Sequence, residues 1–167
     1  MIPIVVCTVG SPSLPVLQAS VTAYAPDTPL LVFKGYLGNF GDDYNSAMAE
    51  AFKEHDEIII ANDDVVLNPN TMRLLLDDIA MLKRDGVKIG FVATRSDSVR
   101  PLQNIRVQPQ TEHIVKEVLS ISPIFAYISK EAFEVAGFPP PPPKMKPTNF
   151  GGFFYDLYFP PLRFLLQ

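Results

Sequence analysis

The sequence predicts a three-layer α/β fold, with a mainly parallel sheet and helices on both faces. Apolar runs and amphipathic stretches alternate along the chain, and several of the apolar runs have no polar side. The run Ile4-Val5-Val6-Cys7 and the run Ile58–Ile60 are examples. Strands of that kind are typical of a parallel sheet buried on both faces. The chain has 167 residues, enough for one domain with a full core.

Turn and capping residues set the predicted limits of each element. Gly10-Ser11-Pro12-Ser13 predicts a turn and a cap before the first helix, and Gly41-Asp42-Asp43 opens the second. Asn68 is predicted to cap the third helix with Pro69 at its first position, and Gly86 to end it. Ser129 caps a short fourth helix. Strands are predicted over residues 3–9, 30–33, 57–61, 87–93 and 124–128, whereas residues 94–123 show no assignable pattern.

Proline marks the predicted end of the regular fold. Of the 17 prolines, eight lie in residues 139–167, and five of these form the run 139–143. Such a run favours a stiff polyproline II segment that cannot join a central strand. We therefore predict a folded domain over residues 1–138, followed by a proline- and aromatic-rich C-terminal tail over residues 139–167.

Composition excludes several classes of function. The net charge of −4 argues against a general nucleic-acid-binding protein, which would present a basic face. Cys7 is the single cysteine, so no internal disulfide forms, and a buried, inert thiol in a reducing, cytoplasmic setting is the favoured interpretation. No apolar run approaches the roughly 20 residues of a transmembrane helix.

Polar residues follow the predicted strands directly. The stretch IIIANDDVVLNPNTM places Asn62, Asp63 and Asp64 at the end of an apolar strand. Ligands of parallel sheets bind outside the carboxyl ends of the strands, so Thr8, Gly10 and the loop at Lys34 should converge on this cluster. Because side chains alternate along an extended chain, Asn62 and Asp64 should share one side and Asp63 the other.

Hard oxygen ligands of this kind suit Mn²⁺ or Mg²⁺, which complete their coordination with substrate phosphates and water. Asp64 is the candidate metal ligand, and Asn62 a hydrogen-bonding partner for a sugar hydroxyl. Other chemistries lack their motifs: the chain has no GxGxxG after the first strand, no Walker A lysine, no Cys/His zinc pattern and no GxSxG elbow.

Four landmarks occur in a recognisable order. They are the first strand VVCTVGSPSLP; Asn39-Phe40-Gly41 followed by Asn45; the segment NDDV; and the late segment 125–138, which ends in Gly137-Phe138. In this order they resemble a GT-A glycosyltransferase of the family-2 type, in which NDDV corresponds to the DxD-like motif. The resemblance spans roughly residues 2–138.

The resemblance implies a hexosyltransferase-type enzyme with a nucleotide-diphosphate sugar donor, a divalent metal ion and inversion at the anomeric carbon. Thr8 would line the nucleotide pocket together with Gly10. Asp64 would bind the metal ion that bridges the diphosphate. The remaining donor-binding candidates are Asn39, Asn45, Asn62 and Asp63. The acceptor and the oligomeric state are not implied.

Two departures from the family pattern leave alternatives open. The second strand ends in Lys34-Gly35 where the family has an acid that holds the base; Lys34 could contact a phosphate, although a solvated lysine is the favoured interpretation. The family's catalytic base follows Gly-Phe, and here Asp156 in FFYDLYF is the candidate base. The alternatives are a degenerate or truncated nucleotide-sugar-binding module without turnover, and a nucleotidyltransferase.

Overall fold

The computed structural model describes residues 1–36, 40–97, 99, 101, 103–107 and 113–136, and the backbone of residues 163–166. Within these residues the chain forms eleven elements. They are, in order, β1 (Ile4–Thr8), α1 (Leu14–Tyr24), β2 (Leu30–Lys34), α2 (Phe40–Ala51), β3 (Glu57–Ala61), α3 (Thr71–Arg84), β4 (Ile89–Ala93), β5 (Lys116–Val118), β6 (Phe125–Ser129), α4 (Lys130–Ala136) and β7 (Arg163–Leu166).

All of these strands belong to one mixed sheet with the order β2-β1-β3-β6-β4-β7-β5. Strands β1, β2 and β3 are parallel neighbours, with Thr8 beside Lys34 and Val6 beside Ala61. Strand β6 runs antiparallel to both β3 and β4. Strand β7 is parallel to β4, and β5 is antiparallel to β7. Five strands therefore point one way, and their carboxyl ends lie at one edge of the sheet.

The helices cover the sheet on both faces, because alternate strand residues point to opposite sides. Ile4, Val6, Ile59 and Ala61 face one core, which α1 and α3 complete with Leu17, Val21, Met72, Leu75 and Ile79. Val5, Ile58 and Ile60 face the other core, which α2 and α4 complete with Tyr44, Ala47, Met48, Ala51 and Ala132. The three-layer α/β class predicted from the sequence is confirmed.

The helix limits agree with prediction except at α3. Asn68 was expected to cap this helix, but residues 68–71 form a turn, in which the Thr71 amide donates to the Asn68 carbonyl (3.0 Å). Thr71 Oγ1 accepts from the Asn68 amide across the same turn (3.0 Å). Helical hydrogen bonding begins with the Leu74 amide and the Asn70 carbonyl (2.9 Å), so Asn70 is the N-cap. The predicted stop at Gly86 is confirmed by its φ of 70°.

The caps of α1 and α4 differ. Ser13 precedes α1 without a side-chain capping hydrogen bond, and its amide instead donates to Ser11 Oγ (3.2 Å). Ser129 caps α4 as predicted, because its Oγ accepts from the Ala132 amide (3.1 Å).

Two strands are absent from the sequence prediction. The short strand β5 lies in the unassigned stretch, and β7 lies beyond the proline run, where regular structure was expected to have ended. That expectation is wrong for Arg163–Leu166, since β7 pairs with both β4 and β5 inside the sheet. The polyproline run itself lies outside the described residues. None of the helices described is long and apolar enough to cross a membrane.

Candidate functional site

The polar cluster Asn62-Asp63-Asp64 follows directly on the end of strand β3. The Asn62 amide donates to the Ile124 carbonyl (2.9 Å), which fixes the backbone as it leaves the sheet. The following residues turn at once, and the Val65 amide lies 3.4 Å from the Asn62 carbonyl. Asn62 Oδ1 is buried and has no hydrogen-bond partner among the described residues. A buried acceptor without a donor is unfavourable, which marks this atom as one that a ligand would satisfy.

Thr8 fixes the orientation of Asp63. Thr8 Oγ1 donates to Asp63 Oδ2 across the β1–β3 pair (2.5 Å). The same oxygen accepts from the amides of Gly10 (3.1 Å) and Ser11 (3.3 Å), so one hydroxyl organises both the carboxylate and the turn after β1. Gly10 adopts a φ of 93°, a conformation that favours glycine. Asp63 is therefore held toward β1.

Helix α2 brings a third carboxylate to the edge. Tyr44 Oη donates to the Ala61 carbonyl (2.6 Å), which ties the start of α2 to the end of β3. One residue earlier, Asp43 is only 8% exposed, and its Oδ1 accepts from the Tyr36 amide (3.0 Å). A Cβ on Gly35 would lie 2.7 Å from Asp43 Oδ2. A glycine at the end of β2 therefore lets the carboxylate from α2 reach this position.

Two adjoining cavities open at this edge. The first, which we call the acid cavity, has a volume of about 380 Å³ and is lined by Cys7, Val9, Phe40, Asp43, Tyr44, Asn62, Asp63 and Asp64. The second, the arginine cavity, has a volume of about 620 Å³, and its polar lining includes Asn62, Asp64, Asn68, Thr71, Arg95, Ser96, Asp97 and Arg106. Asn62 and Asp64 line both cavities, and so form the wall between them. Both volumes are in the usual range for ligand sites.

Titratable groups around the acid cavity report its negative potential. Burial raises the pKa of the Cys7 thiol to about 11, and the carboxylates of Asp43 and Asp63 add to the rise. Burial is also the largest cause of the raised pKa of the Tyr44 hydroxyl, to which Asp63 and Asp64 contribute. Both shifts disfavour a further negative charge here. The same potential favours a cation in the cavity.

The donor set of the acid cavity consists mainly of hard oxygens. It offers the carboxylates of Asp63 and Asp64 and the unpartnered Oδ1 of Asn62. Among the described residues, no three His, Cys, Asp or Glu side chains are grouped closely enough to enclose a metal ion. Mg²⁺ and Mn²⁺ commonly take only one or two protein carboxylates and complete their shell with phosphate and water. The residues present fit an ion of that kind.

The arginine cavity is built by the segment that sequence patterns left unassigned. Gln103 is 1% exposed and ties this segment to the sheet edge: its Nε2 donates to the carbonyls of Thr94 (2.7 Å) and Ser122 (2.9 Å), and its Oε1 accepts from the Ser122 amide (2.8 Å). The Arg106 guanidinium pairs with Asp97 (2.6 Å). Arg95 donates to the Asn104 carbonyl (3.1 Å). The cavity thus carries two guanidinium groups beside Asp64 and Asp97.

The structure brings together part of the predicted site. Asn62, Asp63 and Asp64 line the acid cavity, and Thr8 is bonded to Asp63. Gly10 shapes the turn after β1. Lys34 is exposed, with its Nζ 5.0 Å from the centre of the Tyr36 ring, and it is not among the described residues that line either cavity.

Asn45 lines neither cavity as far as the structure describes them, although its Oδ1 is buried without a partner among the described residues. Asn39 and Asp156 lie outside the described residues, so their roles stay predictions.

Several residues that line these cavities were not predicted from the sequence. Asp43 was interpreted only as part of a helix start, and Tyr44 was not singled out; the acid pair Asp42-Asp43 directly after Asn39-Phe40-Gly41 was the available signal. Arg95, Asp97 and Arg106 came from a stretch with no periodic pattern, and nothing local distinguished them.

Comparison with known proteins finds similarity in solved structures. The crystal structure of A197 from STIV is similar with a TM-score of 0.62 and 17% sequence identity, over 100% of this chain and 82% of A197. The crystal structure of a glycosyltransferase involved in the glycosylation of the major capsid of PBCV-1 has a TM-score of 0.48 and 12% identity, over 80% of this chain and 62% of that one. The similarity to A197 shows a shared fold. No protein-family model and no curated protein matches the chain.

Proposed function

We propose that this protein is a glycosyltransferase that binds a nucleotide-diphosphate sugar with Mn²⁺ or Mg²⁺ and transfers the sugar with inversion. The observation that carries the proposal is the wall formed by Asn62 and Asp64 between two cavities. Inverting transfer needs the leaving group of the donor and the attacking acceptor on opposite sides of the reacting carbon. The two adjoining cavities, which share Asn62 and Asp64 in their linings, meet that need.

The donor belongs in the acid cavity. Its diphosphate would be repelled by Asp43, Asp63 and Asp64 unless a cation lies between them, so binding should depend on the metal ion. Asp64 would hold the ion, with Asn62 Oδ1 as the second oxygen. When bound, such an ion acts as a Lewis acid on the departing diphosphate. The hydrogen bond from Thr8 holds Asp63 toward β1, whereas Asp64 is exposed and lines both cavities.

The acceptor belongs in the arginine cavity. Inverting transfer needs a general base within hydrogen-bond reach of the acceptor hydroxyl. Asp97 lines this cavity and not the acid cavity, which makes it the described carboxylate best placed for that role. Asp156 is the candidate that the sequence resemblance supplies. Comparing turnover in Asp97→Asn and Asp156→Asn decides between them, with nucleotide binding measured in both variants.

A nucleotide-sugar-binding module without turnover is the second candidate. One observation favours it: the Arg106 guanidinium already donates to Asp97 Oδ2 (2.6 Å), so this oxygen has a partner within the protein. Metal-dependent binding of nucleotide sugars, combined with the absence of both transfer and donor hydrolysis, would support this candidate. The cytoplasmic setting stays part of the proposal for either function.

The first experiment measures thermal unfolding with Mn²⁺ and a panel of nucleoside diphosphates. A ligand present at 100 times its Kd stabilises the folded chain by about 2.7 kcal/mol, which is easily measured. The gain should vanish without the metal ion and in Asp64→Ala, whose free form should unfold like the wild type because Asp64 is exposed. The matched control is Asp27→Ala, an exposed acid in the turn before β2. Equal metal-assisted gains in both variants would refute the proposal.

A further inference from the structure

The arginine cavity receives two guanidinium groups from the segment that follows β4. Arg95 and Arg106 both line it. Asn104 holds this segment in shape, because its Nδ2 donates to the Asp97 carbonyl (3.1 Å) and its Oδ1 accepts from the Arg106 amide (2.8 Å). The Asn104 carbonyl also accepts from the Arg95 side chain (3.1 Å). One asparagine therefore fixes the backbone that presents both positive charges to the cavity.

The contact between Arg106 and Asp97 is an exposed ion pair. The guanidinium donates through one nitrogen to Asp97 Oδ2 (2.6 Å), and the two side chains are 74% and 49% exposed. Exposed ion pairs contribute little, because water solvates both partners. A guanidinium carries its N–H donors in a planar fork that matches two oxygens of a phosphate or carboxylate group. A ligand anion that meets this fork with two oxygens therefore competes well with Asp97.

The remaining lining of the arginine cavity suits a sugar. It includes the polar residues Asn68, Thr71 and Ser96, and the exposed apolar residues Val66 and Ile105. A sugar presents hydroxyls at its edge and C–H groups on the faces of its ring, so both kinds of side chain find a partner. The cavity volume of about 620 Å³ has room for a monosaccharide with a charged substituent.

We propose that the acceptor is an anionic sugar, whose phosphate or carboxylate group binds Arg106 in the positive field to which Arg95 contributes. This inference rests on the proposed function, because it concerns the acceptor of the same transfer. The anion of the acceptor and Asp97 compete for one guanidinium. When the anion binds Arg106, Asp97 Oδ2 loses that partner and becomes available to the acceptor hydroxyl, as a general base must be. A neutral sugar does not release Asp97.

Calorimetry on the full chain with glucose 6-phosphate, glucuronate and glucose tests the charge preference. The metal ion is left out, so that the carboxylates of the acid cavity repel the anions from it. At least one of the two anionic sugars should bind about tenfold or more tightly than glucose, and the tighter one shows whether phosphate or carboxylate is preferred. Added salt should weaken binding of the anionic sugar and leave glucose unaffected.

Variants separate recognition of the anion from a structural role of the ion pair. Arg106→Gln should reduce the preference for the anionic sugar to within a few-fold, and Arg106→Lys should retain part of it. Asp97→Asn should bind the anionic sugar more tightly than the wild type, because the competing carboxylate is gone. The matched control is Arg84→Gln, since Arg84 is 75% exposed and is paired with Asp85 (3.5 Å) outside the cavity lining; it should keep the preference.

Binding of nucleoside diphosphates with Mn²⁺ is measured on the same proteins. Equal affinity for the three sugars, binding of none of them, or an Asp97→Asn variant that binds the anionic sugar no more tightly than the wild type overturns this inference. If nucleotide binding persists in those cases, the proposed function stands. Failure of every nucleoside diphosphate to bind with Mn²⁺ overturns the proposed function instead.

Discussion

The hydroxyl of Thr8 is the clearest test of how the site is held together. Thr8→Val keeps the shape of the side chain but removes the hydroxyl that donates to Asp63 and accepts from the amides of Gly10 and Ser11. Thr8→Ser keeps the hydroxyl and removes only a methyl group. The two variants therefore separate hydrogen bonding from packing at a position that is 8% exposed.

The size of the effect follows from the bonds lost. A hydrogen bond to a charged acceptor contributes about 1.5–3 kcal/mol, and the two amides lose a partner in a partly buried turn. We expect Thr8→Val to lower the free energy of unfolding by about 2–3 kcal/mol. For a chain of this size, each kcal/mol shifts Tm by roughly 2–4 °C. The melting temperature should therefore fall by about 4–12 °C, and Thr8→Ser should retain most of the stability.

Urea unfolding and calorimetric melting measure the change. The control is Thr22→Val, which removes a hydroxyl that donates to the Gln18 carbonyl on the exposed side of α1; it should change stability by less than about 0.5 kcal/mol. A double-mutant cycle with Asp63→Ala should give a coupling energy of about 1–2 kcal/mol. A Thr8→Val variant as stable as the wild type, or a coupling near zero, would refute the structural role of this contact.

Three further predictions follow from other parts of the structure. Asn62→Ala should weaken metal-assisted nucleotide binding in calorimetry by about tenfold without lowering Tm, because no described residue bonds to its buried Oδ1; unchanged affinity contradicts this. The pKa of the Cys7 thiol is about 11 in the folded protein, against 9.0 for a free thiol, so at pH 8 Cys7 should react with iodoacetamide about 100-fold more slowly in the folded than in the urea-unfolded chain. Asp43→Asn should make the reaction of the folded chain faster, because it removes a negative charge near the thiol. Burial raises the pKa of the Glu57 carboxyl, but hydrogen bonds from Lys83 and Tyr127 lower it by more, so the folded pKa lies below 4.5. The resulting stability is present above pH 4.5 and is lost as the pH falls through the folded pKa. Glu57→Gln should therefore flatten the acid side of the curve of Tm against pH.

Local sequence patterns were sufficient for the central part of the fold. Ile58–Ile60 had to be a buried strand, because three successive β-branched residues with no polar face suit a strand covered on both sides. The polar residues that follow then had to lie at the edge of the sheet.

The remainder depends on contacts between residues distant in the chain. Strand β7 comes from a segment rich in proline and aromatic residues, and its backbone joins the sheet only because β4 and β5 offer unpaired edges. The arginine cavity depends on Gln103, whose amide group bonds to backbone groups on either side of it in the chain. A polar residue in an irregular stretch gives no sign that it will be 1% exposed.

The end of β2 shows most directly why a motif should be judged by its place in the fold. In sequence, Lys34-Gly35 lacks the acid that the family resemblance leads one to expect at this strand end. In the structure, a carboxylate reaches that end of the strand from α2: Asp43 lies against Gly35 and is held by the Tyr36 amide. Gly35 and Asp43 are therefore complementary, because Asp43 approaches this closely only when residue 35 has no Cβ. Gly35→Ala should consequently disturb the acid cavity without altering any of its carboxylates.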